Sequence, residues 1–409
     1  MSTTGKLSIS TLKCDGSNVK SNDGLNILTG LNIINIKRKY YISKSIMKHT
    51  ALLLTMSLAA LTLASCSDDE PDIAVHNGES PEIAFRPAMG GLSRATETTN
   101  ANLSSIYITG LLGDEDYFDQ LEFTKGDDNL FTSSRKYYWP GDDTDIAFYA
   151  YAPSADILGA DVTINKDTKE MTGFVTPENI ADQVDFITAK ATGNRPENEA
   201  SGVPLVFEHR LAQIQINAKS ANPDYTFKVA GVRIGRPETT GSFDFDKETW
   251  TMDEWHETAV YESSTNEVTL TSNPVSIMGT NGNAMLIPQT LTPWNPKGDP
   301  DNIARGAYLS VLVNISTNEG VQIYPFPSDT RKEADGTPVK YAWASIPLSG
   351  TWEQGKKYVY TLDFTDGAGN VDPDDPIPGH SVLGDPIKAT VTVTNWVDAD
   401  KTIPMTPVK

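Results

Sequence analysis

The chain has 409 residues, 33 of them Lys or Arg and 54 Asp or Glu, for a formal net charge of −21. Such acidity excludes nucleic acid and anionic lipid surfaces as partners, since both require a positive patch. The length is sufficient to bury one or two ordinary hydrophobic cores.

Residues 1–46 are polar, rich in Asn and Lys, and end near Lys37-Arg38-Lys39. They do not fit the signal that follows. They are read as an over-called start or a disordered extension, and Cys14 goes with them. Residues 47–50 form a short basic start, and residues 51–64 are an apolar run without charge. That run is shorter than the roughly 20 residues a helix needs to cross a bilayer core. It suits the apolar region of a secretory signal peptide over residues 47–65. The run closes on Leu63-Ala64-Ser65-Cys66, which resembles the lipobox of bacterial lipoproteins. That resemblance implies cleavage after Ser65 and lipidation of Cys66, and acyl chains contribute about 0.8 kcal/mol per buried CH₂. Ser67-Asp68-Asp69-Glu70 follows and resembles the surface-export signal of some Gram-negative lipoproteins. Residues 66–80 then read as a solvated tether. The expected location is the outer face of the cell outer membrane.

Beyond the tether the pattern is period two, with many turns. Residues 146–151 form an aromatic-dense strand. Leu309, Val311, Val313 and Ile315 alternate with Tyr308, Ser310, Leu312 and Asn314. Tyr358, Tyr360, Leu362 and Phe364 form another series, as do Ile387, Ala389, Val391 and Val393. Each predicts a strand with one buried face. A short helical turn is expected near residues 177–183. In "PLVFEHRLAQIQINAK" the apolar parity changes between Leu211 and Ala212, which predicts a β-bulge near Arg210. Turn-rich stretches lie at 192–202, 293–305, 328–338 and 366–379. The first separates two strand-rich halves, 81–200 and 201–409. The fold class expected is all-β.

The chemistry of catalysis is harder to find. His76, His209, His256 and His380 show no metal-ligand spacing, and no GxSxG, P-loop or HExxH occurs. No enzyme, cofactor or metal is expected. Asp366, Asp372, Asp374 and Asp375 have the ligand type for calcium but lack the order of a calcium hand, so their loop reads as a linker. Trp139, Trp352 and Trp396 are read as core residues and not sugar platforms, and His209 as a strand residue satisfied by a neighbour.

Six segments together resemble the fimbrillin family of type V pilus subunits and their lipoprotein relatives. They are "PEIAFRPAMGGLSRATET", "KYYWPGDDTDIAFYAYAP", "DFITAKA" followed by "VPLVFEHRLAQIQI", "AMLIPQTL", "GTWEQGKKYVYTLDF" and "VTVTNWVD", in the family's order across residues 81–398. The resemblance implies two tandem transthyretin-like β-sandwiches and a structural role as subunit, tip or anchor of a surface fimbria. Its implied partners are other fimbrial subunits, joined by β-strand exchange, and outer-membrane lipid through Cys66. Host or bacterial surface ligands are a further class of partner. In polymerising members a trypsin-like protease cuts after an arginine near the first strand, which here corresponds to Arg94. The alternative reading is a glycan-binding surface lipoprotein, and the burial of the tryptophans discriminates between the two.

Overall fold

In Val203–His209 every second residue, Val203, Leu205, Phe207 and His209, is buried, while Pro204, Val206 and Glu208 face out. This is the pleat of a half-buried strand, and most of the chain is built from such segments. The structure is a computed structural model and describes residues 80–89, 98–99, 102–141, 143–375 and 378–396.

The first strands are β1 (Phe85–Met89), β2 (Ser105–Leu112), β3 (Glu115–Lys125), β4 (Phe131–Ser133) and β5 (Ile146–Ala152). The hairpin β6 (Asp161–Ile164) and β7 (Lys169–Val175) follows, then β8 (Ile187–Gly193) and β9 (Val203–His209). All but the hairpin close into a barrel of order β1-β4-β3-β2-β5-β8-β9. Closure leaves these strands without an open edge. The interior holds Phe85, Phe123, Phe148, Trp139 and Leu205.

The remaining strands are β10 (Ala212–Lys219), β11 (Tyr225–Glu238), β12 (Thr240–Asp244), β13 (Thr249–Met252) and β14 (Thr258–Thr269). After them come the short β15 (Val275–Ser276), β16 (Ala284–Leu286) and β17 (Thr290–Leu291), then β18 (Tyr308–Thr317) and β19 (Gln322–Tyr324). Last are β20 (Ala342–Pro347), β21 (Gly350–Thr351), β22 (Lys356–Asp363), β23 (Asn370–Val371) and β24 (Lys388–Asn395). One sheet runs β15-β10-β22-β24 and another β14-β11-β18-β20-β23. Their inner residues, among them Ile214, Ile216, Val232, Val311, Tyr360 and Leu362, share one core. A third sheet, β13-β12-β7-β6, takes strands from both halves of the chain. Beneath it lies a smaller core that includes Met171, Phe186, Phe243 and Trp396.

The described residues are therefore all-β, with three short helices of four to six residues among them. The strands expected at 146–151 and 308–315, and in the 358–364 series, are β5, β18 and β22, and in each the core-facing parity is buried. The helical turn is a single 3₁₀ turn at Ile180–Asp182, capped by the Asn179 side chain.

Two expectations need correction. The parity change at Arg210–Ala212 is not a bulge. β9 ends at His209 in the barrel and β10 begins at Ala212 in a different sheet. A chain that changes sheets need not keep one face buried, so the two parities belong to two strands. The second correction concerns β24. All eight of its residues are exposed, with Val391 and Val393 each 49% accessible. In register these valines stand beside Tyr360 and Tyr358 of β22, which are buried. β24 is the last strand of its sheet, and none of its residues enters the core shared with the facing sheet.

Candidate assembly surface

The N-terminal segment lies across the barrel in two short pairings. Around residues 81–83, Ile83 N–H donates to Tyr137 O at 2.8 Å and Trp139 N–H to Pro81 O at 3.2 Å. Farther on, β1 runs parallel to β9 from Phe85↔Val203 to Met89↔Phe207, and meets β4 only at Phe85↔Phe131. Ile83 and Phe85 are buried, as their alternation predicts, and Met89 joins them. Phe85 stands edge-on to Phe123 at 4.8 Å and to Phe148 at 4.9 Å. A short segment thus fills an apolar channel and satisfies the backbone of β9.

At the opposite end of the sequence, β24 pairs antiparallel with β22 from Lys388↔Asp363 to Asn395↔Lys356. Its middle reads Thr390-Val391-Thr392-Val393-Thr394, without charge or proline. Edge strands are usually guarded by such residues. At another edge, β14 carries Glu262 and Glu267, bound to Arg233 and to Lys228 and Lys340.

The junction between β9 and β10 gathers several buried polar residues. His209 Nδ1 lies 2.8 Å from Asp185 Oδ2, and both side chains are almost fully buried. The Trp396 indole lies parallel to the His209 ring, with centroids 4.2 Å apart and planes 5° apart. Gly355 completes the corner at φ +66°: its N–H donates to Leu211 O and its carbonyl accepts from Trp396 N–H. Positive φ is what glycine supplies without a Cβ penalty. Arg210 is buried too. Its Nε donates to Thr188 Oγ1 at 2.6 Å, and Nη1 and Nη2 reach Glu208 and Glu248 at 3.1 and 2.9 Å. A buried cation needs this degree of pairing. The sequence marks His209 as satisfied by a neighbour. It does not show that the neighbours are Asp185 and Trp396, or that Arg210 is buried.

The acidic loop at 366–379 engages cations of the chain itself. Asp374 Oδ1 bonds Arg236 at 2.7 Å, Asp375 bonds Arg331 at 2.5 Å, and Asp366 pairs with Lys388. Asp372 is buried. It accepts from Ser310 at 2.5 Å and Ser345 at 3.3 Å, on facing positions of β18 and β20. No group of three or more potential metal ligands converges among the described residues. A polar cleft of about 340 Å³ includes Arg236, Glu238, His256 and Gln289 in its lining, and these largely bond one another or nearby backbone.

Trp139, Trp352 and Trp396 are each at most 2% exposed. They are core residues, as read from the sequence. Ser65, Cys66 and Arg94 lie outside the described residues.

Glu267 gives a pH prediction. Hydrogen bonds from Lys228, Lys340 and Tyr341 hold its pKa down from 4.5 to about 2. Because the folded value is depressed, its stabilising contribution is complete above pH 4.5. It is lost as the pH falls toward 2. Glu267→Gln should therefore narrow the difference in urea midpoint between pH 6 and pH 3. An unchanged difference would show that solvent already screens the cluster.

The fold and these surfaces define a class: an all-β protein whose distinctive features are a lightly paired first strand and an unguarded last one. Within that class, the chain belongs to the fimbrillin-like family, whose model matches residues 93–396. It is 27% identical over 231 residues to the fimbrium subunit Fim1C of Phocaeicola vulgatus, covering 48% of this chain. The match spans 61% of that relative's length. In structure it resembles a fimbrial protein from Bacteroides vulgatus, with TM-score 0.52, 16% identity, and coverage of 77% of this chain and 99% of that one. A fimbrilin from Porphyromonas gingivalis aligns at TM-score 0.46 and 13% identity, over 79% of this chain and 99% of that one.

Proposed function

We infer that the protein is a structural subunit, tip or anchor of a cell-surface fimbria, brought to the membrane by lipidation of Cys66 and joined to neighbouring subunits by β-strand exchange; a cut after Arg94 would part a polymerising subunit from that lipid. The observation that carries this reading is the seating of β1. A cut after Arg94 would release residues 81–89 as one piece, because Arg94 follows β1 by five residues. The barrel would then present Phe123 and Phe148 in an open channel, with β9 unpaired over residues 203–207. Such a groove takes a strand from another chain by main-chain pairing, with alternate side chains filling its pockets. β24 has suitable donor chemistry: it is uncharged through its middle, alternates Thr with Val, and contributes nothing to its own core.

The tandem transthyretin-like arrangement, expected as 81–200 followed by 201–409, belongs to the same reading. Separate cores in the barrel and in the second pair of sheets support two halves, but the barrel takes β9 (Val203–His209) from beyond the expected boundary, so the halves part between β9 and β10. The role is structural and not catalytic. Family membership and the internal pairing of the acidic loop and cleft both favour that. A primary role in binding glycans has less support, because Trp139, Trp352 and Trp396 are buried, and of the tryptophans only Trp255 is largely exposed.

The test is the N-terminus of the surface-assembled protein. A start at Ala95 is expected for a polymerising subunit, and a lipidated start at Cys66 for an anchor or cap. Cys66→Ala should lose fatty-acid label and leave the cell surface. Persistent labelling of that variant would overturn the lipid attachment.

A further inference from the structure

We propose that Asp185, His209 and Trp396 form a latch coupling Thr98 to strand β24. The inference rests on the strand-exchange reading for its purpose, but its physical content is independent of it.

Three remote parts of the chain meet at one carboxylate oxygen. Thr98 N–H donates to Asp185 Oδ2 at 2.9 Å across 87 positions of sequence. The same oxygen lies 2.8 Å from His209 Nδ1. His209 in turn supports the Trp396 indole by face-to-face stacking. Asp185 Oδ1, His209 Nε2 and Trp396 Nε1 are all buried without a hydrogen-bond partner in the protein. The cluster is therefore already short of hydrogen bonds before any donor is withdrawn.

β24 depends on this point. None of its eight side chains is buried. Its buried attachments lie just outside its two ends, at Ile387 and Trp396. Toward solvent it is held by Lys388 on Asp366 and by Asn395, which accepts from Lys356 at 2.6 Å. Trp396 is consequently the plug that fixes the far end of the strand, and it belongs to the core under the third sheet.

Withdrawing Thr98 leaves a buried carboxylate with a single partner. Such a group is strongly driven to recover hydrogen bonds from water. Water admitted at Asp185 reaches His209 and weakens the stack that holds Trp396. β24 then frays more readily from β22, while the barrel keeps its own ladder. By linkage the coupling is reciprocal, so detaching β24 also loosens the segment around Thr98.

The test is hydrogen exchange on the uncleaved, monomeric full-length protein, so it does not depend on whether Arg94 is cut. Thr98→Pro removes the one N–H that Asp185 accepts from this segment. It is expected to speed exchange of the β24 amides about ten-fold and to leave β5 unchanged. Thr99→Pro, whose amide bonds Asn102 instead, serves as control and should leave β24 within two-fold of the parent. In an Asp185→Ala background, which leaves no acceptor for the Thr98 N–H, Thr98→Pro should add little, because the coupled network is already broken. Three results would overturn the latch: no acceleration in β24, equal acceleration throughout the barrel, or the full ten-fold effect persisting in the Asp185→Ala background.

Discussion

A chain beginning at Ala95 is expected to assemble into multimers, whereas the chain beginning at Cys66 stays monomeric under the same conditions. The reason is the different state of the barrel in the two forms. With residues 81–89 in place, β9 is paired on both sides and the barrel has no edge. Without them, Val203, Leu205 and Phe207 keep their inward side chains but lose the neighbouring backbone, and Tyr137–Trp139 loses its partner as well. Unpaired backbone beside a buried apolar surface is the condition under which another strand is most strongly bound. Light scattering after size-exclusion chromatography distinguishes the outcomes. A chain from Ala95 that stays monomeric and folded would mean the barrel closes without β1, and would remove the basis for strand exchange at this site.

Phe85→Ala is expected to lower the unfolding free energy by about 3–5 kcal/mol, the usual range for truncating a fully buried phenylalanine. Phe85 has no solvent exposure. Its ring is gripped edge-on by two others, at interplanar angles of 84° and 86°. Such geometry adds about 0.5–1.5 kcal/mol per pair beyond area burial. The adjacent Arg86 is exposed, and Arg86→Ala should change stability by no more than about 0.5 kcal/mol. Urea unfolding at equilibrium measures both. A loss near 1 kcal/mol for Phe85→Ala would show that backbone pairing, and not the aromatic anchor, holds β1 in the barrel. The same substitution should ease displacement of β1 by an incoming strand, since it weakens the resident one alone.

Much of this architecture is written locally. Alternation in β5, β9, β18 and β22 appears in the sequence because each strand has one face toward a core, and a pleat repeats every two residues. The aromatic residues of the barrel and the short helical turn within 177–183 are legible for the same reason: the signal lies within a few positions. β24 carries equally good alternation, yet its valines are exposed. Alternation reports that a strand can bury a face, and only the facing sheet decides whether it does. The parity change at Arg210 is similar. A bulge and a change of sheet leave the same trace in sequence, and the pairing of β9 with β8 and of β10 with β22 separates them.

The junction lies further beyond sequence reading. Asp185 meets Thr98 across 87 positions and His209 across 24, and Trp396 arrives from the far end of the described chain. Nothing local distinguishes these residues from any other aspartate, histidine or tryptophan. The composition and motifs determined an acidic, strand-rich chain with a lipobox-like segment and no recognisable catalytic pattern. The tertiary structure decided which strand is covered, which is left open, and which buried polar groups meet, because those outcomes depend on packing between segments that no period in the sequence connects.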